Sequence, residues 1–256
     1  MQEELRNEII GLLKNDVRLD GRKPLEYRDV KVETGVSRNA EGSAKVTIGD
    51  TQVIAGVKLE VIKPYSDAPE DGSMMINVEL YPMSSPDFET GPPNISAIEY
   101  ARVTDRGIRE SKSIDVKKLC IEKGEKSWMV IIDICSMNAA GNLFDAISLA
   151  AVAAVNDAVF PGYDGEVVDY KNKTTDKLPI MKVPVTVTVF KYGDSFVIDP
   201  TYEEEPVYDA RLTVTSLENG NICSLQKGGE GALTADETFK MIEIAGDKAK
   251  ELRQHL

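Results

Sequence analysis

Apolar and polar residues alternate with a period of two in several stretches of the first third of the chain, a pattern typical of strands. The predicted strands are residues 30–35, 44–48, 52–61 and 73–81. Gly49 lies between the second and third of them and predicts a hairpin, because glycine adopts the dihedral angles that tight turns require. An amphipathic helix is predicted before them, over residues 2–15, where apolar residues recur at helical spacing.

The rest of the chain is predicted to mix helices with further strands. Helices are predicted over 95–112, 142–159 and from Thr234 onward, and strands over 116–122, 128–136, 183–192, 195–198, 213–217 and 222–226. The helix at 142–159 is apolar on most sides, so we expect it to pack between two layers. Residues 82–94 are rich in proline and predict a loop, and the polar residues 161–178 predict a loop or a tolerated insertion. Asn219-Gly220 predicts a two-residue hairpin turn.

A short segment recurs in the two halves of the chain. Gly49 to Ile54 reads GDTQVI, and Gly193 to Ile198 reads GDSFVI. Both copies lie at the tip of a predicted strand pair, and each half later supplies long helices. The repeat predicts an α+β fold of two similar halves that pack into one unit.

Composition narrows the class of protein. The 256 residues carry a net charge of −13, with 42% hydrophobic and 29% charged residues, as is typical of soluble globular proteins. The excess of acidic residues argues against nonspecific coating of a nucleic-acid duplex, which needs concentrated Lys and Arg. The sole histidine is His255, so catalysis by a buried histidine base is not expected. No apolar run approaches the ~20 residues that span a bilayer, and the charged N-terminus resembles no export signal, so we expect a cytoplasmic protein without a membrane partner.

Three cysteines are spread through the sequence and suggest no metal or redox chemistry. Cys120, Cys135 and Cys223 match neither a zinc spacing nor a C-x-x-C motif. Because each lies in an apolar stretch, we expect three buried, reduced thiols.

Arginines at helical spacing give the clearest candidate for binding. Arg102, Arg106 and Arg109 fall at i, i+4 and i+7 and so share one helix face; we call these three residues the arginine stripe. Residues 102–126 carry eight basic and five acidic side chains, a local excess of positive charge. The stripe suits the phosphates of a nucleic-acid backbone. The alternative is a salt-bridged surface, since acidic residues such as Asp105 are near.

Three further segments carry charge or free backbone donors. Arg18, Arg22 and Arg28 surround a tight bend, and we interpret them as partners for carboxylates at a domain or subunit seam. Residues 194–209 hold six acids and no base, which indicates a solvated edge, a site for a partner's basic residues or, less favoured, a metal site. The turn at 138–142 opens a helix and could receive an anion, but its neighbours are apolar, so we interpret it as a packing turn.

Several of these motifs resemble the RNase PH-like family. The run Arg18-Leu19-Asp20-Gly21-Arg22, with Arg28, is similar to the R-x-D-G-R-x-x-x-x-x-R opening of that family. Residues 42–44 and 49–53 resemble its next block, and residues 199–205 resemble its late D-x-x-x-x-E-[ED] block. Within the family, the N-terminal helix, residues 105–111 and residues 199–201 are most similar to the non-catalytic ring subunits of archaeal exosomes.

The resemblance implies an architecture and an assembly. It implies a duplicated βαβ unit of the ribosomal protein S5 domain 2-like kind, with an N-terminal helix over residues 1–17 and a single domain over residues 18–256. It also implies a hexameric ring, a trimer of heterodimers with a catalytic sister subunit, which single-stranded RNA enters and to which RNA-binding cap proteins attach. Such rings shorten RNA from its 3′ end with inorganic phosphate.

Two departures from the family pattern imply that this chain is not itself catalytic. Active members carry Gly-Gly-Ser/Thr-Arg at the strand-to-helix turn, whereas residues 141–144 here are Gly-Asn-Leu-Phe. Active members also place an aspartate seven residues after the first acid of the E-[ED] pair that ends the late block, and counting from Glu204 that position is Arg211. Arginine neither coordinates Mg²⁺ nor accepts a proton.

Three functions therefore follow in order of preference. The first is a structural, RNA-binding ring subunit without catalytic residues, metal or cofactor, in which Arg102 and Arg106 hold RNA phosphates beside the partner's active site. For Arg109 the resemblance leaves RNA contact and pairing within an interface both open. The second is a phosphorolytic 3′–5′ exoribonuclease active by itself. The third is a metal-dependent small-molecule enzyme that uses the acidic residues 199–209.

Overall fold

Four α-helices separate groups of consecutive strands in the computed structural model, which describes residues 2–256. Met1 of the predicted N-terminal segment lies outside these residues. In order these elements are α1 (Gln2–Leu13), β1 (Val30–Thr34), β2 (Gly42–Ile48), β3 (Thr51–Ile62), β4 (Ser73–Leu80), α2 (Ile95–Glu110), β5 (Cys120–Glu122), β6 (Lys126–Asn138), α3 (Leu143–Asp157), β7 (Val159–Tyr163), β8 (Val168–Lys177), β9 (Val185–Tyr192), β10 (Ser195–Ile198), β11 (Ala210–Ser216), β12 (Ile222–Gly228) and α4 (Ala235–Arg253). The α+β class is confirmed.

Two main sheets organise the strands. The larger has the order β1-β2-β3-β6-β4, with β5 paired to the end of β6; the β4–β6 pair is parallel and the other pairs are antiparallel. The smaller is antiparallel in the order β10-β9-β11-β12. The recurring segment forms the β2–β3 turn in one sheet and the β9–β10 turn in the other. Gly49 and Gly193 have φ of 56° and 58° there, a backbone region that glycine enters at no steric cost.

The apolar helix α3 lies between the two sheets, as its composition predicts. It contacts β2 and β3 of the larger sheet and β9 of the smaller, and residues 143–155 are all buried. Gly42 permits the close packing of α3 on β2, since a Cβ there would lie 2.4 Å from the carbonyl oxygen of Ala154. Helix α2 packs beside α3 and contacts β4 and β12, so it too bridges the sheets.

The N-terminal helix packs on the smaller sheet. Ile9 and Leu13 of α1 are buried in a small cluster with Phe190 and Tyr192 of β9. At the polar edge of this contact, Arg6 pairs with Asp209 at 2.8 Å. The division into segments 1–17 and 18–256 remains a prediction.

Four expectations from the sequence are corrected. Residues 116–122 are a 3-10 helix (Val116–Leu119) followed by the short strand β5, rather than one strand. Residues 161–178, predicted to be a loop, belong to the β7–β8 hairpin, whose polar composition reflects its exposure. Asn219-Gly220 does not form a two-residue turn, because Leu217 and Asn221 close a wider loop with a 2.9 Å hydrogen bond. The three cysteines are free, but they are half-buried rather than buried.

Buried ion pairs join the N-terminal bend to the segment after β10. The Arg18 guanidinium is fully enclosed and donates from Nε to Glu204 Oε1 (3.1 Å) and from Nη1 to the carbonyl oxygen of Ile198 (2.9 Å). Arg22 and Arg28 both bind Asp199, at 2.9 Å and 2.6 Å. These three arginines therefore pair with carboxylates as predicted, and the seam lies within this chain.

Removing one member of the buried pair should destabilise the protein strongly. We expect Arg18→Met to lower the free energy of unfolding by about 3–5 kcal/mol, because Glu204 would remain buried without its counter-ion. Urea unfolding, followed by the fluorescence of the single tryptophan, Trp128, measures the change. Lys250→Met breaks the exposed Lys250–Asp247 pair and should leave the unfolding curve nearly in place. Equal effects of the two substitutions would contradict this interpretation.

Candidate nucleic-acid interface

Helix α2 carries the arginine stripe, and its ends are fixed by local sequence. Asn94 caps the N-terminus by accepting a 2.8 Å hydrogen bond from the backbone of Ala97, and Pro92-Pro93 just before it cannot extend the helix. One face, which includes Val103 and Ile108, is buried against the sheets. The opposite face leaves Arg102 and Arg109 exposed, so the stripe lies along the surface of the protein.

The three arginines differ in how their charge is used. The Arg102 side chain is exposed and makes no hydrogen bond or ion pair with any residue from 2 to 256. Arg106 is half-buried and donates to Oε1 of Gln226 on β12. Arg109 forms an ion pair with Asp105 at 2.6 Å and donates to the carbonyl oxygen of Met74, and this pairing raises its pKa. Arg102 is therefore free to bind a phosphate, Arg106 is held in place, and Arg109 is already neutralised.

Glu99 connects the stripe with the position where the family pattern has an aspartate. Nη2 of Arg211 on β11 donates to Glu99 Oε1 at 2.6 Å, and Nε2 of Gln226 approaches the same oxygen at 3.4 Å. The Arg211 guanidinium also stacks on the ring of Phe144, 4.0 Å from its centroid. Sequence reasoning missed Glu99, although it shares the helix face of Arg102 and Arg106; Gln226 left no sequence signal because only the fold brings β12 beside α2.

The turn that opens α3 is tightly built and holds a carboxylate of the same chain. Gly141 has φ of 94°, and a Cβ there would lie 2.3 Å from the carbonyl oxygen of Pro200. Asn142 adopts a left-handed conformation, and its backbone N–H donates to Glu205 Oε2 at 3.2 Å. The turn is thus a packing turn whose free donor is used by Glu205.

Aromatic side chains fill the space beside this turn. Phe144 packs edge-on against Tyr100 of α2, with ring centroids 4.5 Å apart. Tyr100, Phe144, Glu205 and Arg211 line a cleft of about 260 Å³. Burial raises the pKa of Glu205 to about 7, although the nearby hydrogen bond from Asn142 and the charge of Arg211 favour its ionised form.

A second buried acid, Asp145, lies in the first turn of α3. Asp145 accepts hydrogen bonds from the Tyr27 hydroxyl (2.7 Å), the Asn142 side chain (3.1 Å) and the backbone N–H of Thr188 (2.8 Å). Burial nevertheless raises its pKa to about 7. Asp145 thereby links the N-terminal segment, the α3 turn and strand β9.

The acidic segment 194–209 is not a solvated edge, which corrects the expectation from its composition. Asp199 and Glu204 are buried and bound by arginines of the same chain, and Asp209 pairs with Arg6. Burial alone would raise the pKa of Asp199, but the hydrogen bonds and charge of Arg28 outweigh it and hold the pKa below its ordinary value. Across the described residues, no three acidic, histidine or cysteine side chains are grouped so that they could hold a metal ion.

Comparison with protein families identifies the class of protein to which this fold belongs. The 3′ exoribonuclease family matches with its domain 1 over residues 26–161 and with its domain 2 over residues 182–248. The chain belongs to this RNase PH family.

Similarity to individual proteins identifies the relationship more narrowly. The exosome complex component Rrp42 of Methanothermobacter thermautotrophicus is 45% identical over 99% of this chain and 94% of its own length. Rrp42 of Methanocella arvoryzae is 46% identical over 98% of this chain and 95% of its own length. The chain is therefore a full-length homologue of a subunit of the exosome.

Solved exosome structures share the fold. A chain of the Archaeoglobus fulgidus exosome with RNA bound to the active site superposes with a TM-score of 0.91 at 40% identity, over 99% of this chain and 98% of the other. A chain of an archaeal exosome core superposes with a TM-score of 0.86 at 36% identity, over 99% and 96%. The RNase PH-like fold expected from the motifs is confirmed. Within residues 2–256, no helix has the length and apolar character to cross a membrane.

The raised pKa of Asp145 predicts a specific pH dependence of stability. An unfolded aspartate ionises near pH ~3.9, whereas folded Asp145 keeps its proton to about pH 7, so the folded state binds more protons between these values and loses stability as pH rises. Asp145→Asn removes this contribution. The stability of the wild type relative to the variant should therefore fall by about 2 kcal/mol from pH 5 to pH 7.

Urea unfolding at several pH values measures this difference. Glu203→Gln is the control for the loss of one carboxylate, because Glu203 is an exposed residue of the acidic segment 194–209. If the curves for wild type and Asp145→Asn stay parallel across the pH range, Asp145 does not hold a proton in the folded state.

Proposed function

We propose that this chain is a non-catalytic ring subunit of an archaeal-type exosome that holds RNA for a catalytic partner. The observation that carries the proposal is the state of the α3 turn. The Asn142 N–H is taken by Glu205, the next two residues are Leu143 and Phe144, and Arg211 stands where the family pattern has an acid.

These contacts make the turn a poor site for the phosphate that attacks the RNA. A phosphate at the turn would compete with the Glu205 carboxylate for the Asn142 N–H and would repel it when ionised. Phe144 offers it a ring in place of a guanidinium, and Arg211 cannot act as a base. Losing the anion site and the acid together removes both groups that stabilise the same transition state.

The arginine stripe supplies the binding role. Arg102 presents an unpaired guanidinium to solvent, and Arg106 is held beside it by Gln226. Phosphate contacts of this kind are independent of base sequence, which suits general RNA degradation. Arg109 contributes less, because Asp105 already pairs with it.

The partners follow from the exosome homology. We infer a hexameric ring made of three heterodimers with a catalytic RNase PH-like subunit, to which RNA-binding cap proteins attach. Single-stranded RNA passes through it and is shortened by the partner. We infer a cytoplasmic location for this assembly.

The isolated chain should not degrade RNA. We expect no nucleoside diphosphate when it is incubated with oligoadenylate, phosphate and Mg²⁺, whereas the complex reconstituted with the catalytic partner should release it. Chromatographic separation of the nucleotides measures the product. Robust release by the isolated chain would instead support the alternative, a phosphorolytic enzyme active by itself.

Reversing the charge of the stripe should weaken RNA processing by the ring. Arg102→Glu together with Arg106→Glu replaces two phosphate-binding cations by anions, so trimming at limiting RNA should fall by about tenfold or more. Size-exclusion chromatography should still give the intact ring.

A control variant reverses two positive charges outside the arginine stripe. The control variant is Lys14→Glu with Arg38→Glu. Lys14 is exposed just after α1, and Arg38 is exposed in the connection between β1 and β2, at the edge of the larger sheet opposite the β4 edge, where α2 packs. This variant should trim RNA at the wild-type rate. Unchanged trimming by the stripe variant would refute the RNA-binding assignment.

A further inference from the structure

Arg211 is connected to the arginine stripe by a continuous line of side chains. It donates to Glu99 at 2.6 Å; Glu99 is approached by Gln226 Nε2; and Gln226 Oε1 accepts a hydrogen bond from Arg106. The line runs from β11 through α2 to β12 and back to α2. It joins the position of the missing acid to a residue proposed to bind RNA.

The carboxylate of Glu99 is the group in this arrangement that would oppose phosphate binding. Glu99 precedes Arg102 by three residues and Arg106 by seven, so all three side chains project from the same side of α2. Its side chain is 31% exposed, so its charge is not hidden from the surface. Without a counter-ion, the carboxylate would attract the stripe arginines and repel the phosphates that they are to bind.

Arg211 is fixed where it can supply that counter-ion. Its side chain is only 6% exposed, and its guanidinium lies against the Phe144 ring. Stacking on an aromatic face leaves the edge of a guanidinium free to donate in its own plane, and here the edge meets Glu99. Phe144 and Arg211, the two departures from the active pattern, therefore act together on one carboxylate.

We propose that Arg211 is a positioning residue for RNA binding: it neutralises Glu99 and, through Gln226, keeps the charge of Arg106 available to RNA. This inference rests on the proposed function of the stripe and extends it. Arginine at position 211, where the family pattern has an aspartate, would then support RNA binding by the ring as well as remove a catalytic acid. Neutral Gln226, rather than Glu99, becomes the partner that orients Arg106.

The inference predicts a rescue. In the reconstituted complex, Arg211→Gln should weaken the binding of single-stranded oligoadenylate by about three- to tenfold, since a freed carboxylate cancels roughly one phosphate-binding cation. Glu99→Gln alone should bind within about twofold of wild type, because it removes an already neutralised charge. The double variant Arg211→Gln/Glu99→Gln should return to the affinity of Glu99→Gln.

Binding is measured by fluorescence anisotropy without phosphate and Mg²⁺, so that no RNA is consumed, at two salt concentrations. Recovery of both affinity and salt dependence in the double variant supports the proposal. If Arg211 served only to pack against Phe144, the double variant would bind as weakly as Arg211→Gln, and that result would overturn it.

A second variant tests the same charge effect without touching the cleft. Gln226→Glu places a carboxylate directly on Arg106 while Arg211 and Phe144 stay intact, so it should weaken binding even where Arg211→Gln fails to assemble. Wild-type binding by Gln226→Glu would overturn the inference. The variant Arg102→Glu/Arg106→Glu in the same assay separates a failure of the proposed function from a failure of this inference. If this variant also binds RNA like wild type, the proposed function fails. If it binds weakly while Gln226→Glu binds like wild type, only this inference fails.

Discussion

The buried carboxylate of Asp199 is the contact on which the arrangement of the protein depends. It accepts hydrogen bonds from Arg22, Arg28 and the Asn142 side chain, and so joins the N-terminal bend, the segment after β10 and the turn that opens α3. Charges that are withdrawn from water must be paired with good geometry, and here two guanidinium groups share one acid. Arg18 and Glu204 form a second buried ion pair beside it. Much of the acidic segment is therefore structural.

That framework also decides what the α3 turn can do. Asp199 and Arg28 hold the turn in place against the segment after β10. Glu205 accepts the hydrogen bond of the Asn142 N–H, and Phe144 and Arg211 line the cleft beside it. The chain shares its fold with the RNase PH family, so the side chains at this turn, rather than the fold, determine what the turn can bind. The proposed binding role therefore depends on Leu143, Phe144 and Arg211.

The sequence predicted most of the fold because its patterns are local. The apolar run of β6, the apolar surface of α3 and the paired Gly-Asp turns each carry their own signal, whereas the hairpin of residues 161–178 has none, since most of β8 is exposed and polar. The pairing of Arg18, Arg22 and Arg28 with carboxylates was predictable from charge, but not their partners, which lie about 180 residues further along the chain. Glu99 and Gln226 remained hidden for the same reason: contacts between distant strands and helices leave no periodicity.

Charge pairing, rather than helical spacing, determines which arginines of the stripe are available. Spacing alone makes Arg102, Arg106 and Arg109 equivalent, but Asp105 takes one, Gln226 orients another and the third is left to solvent. In a chain with a net charge of −13, the Arg102 guanidinium offers an unpaired positive charge on the surface of α2. It survives because nearby acids are committed elsewhere: Asp105 to Arg109, and Glu99 to Arg211. The same ion pairs that stabilise this face of the protein therefore also set the charge that an RNA phosphate would meet.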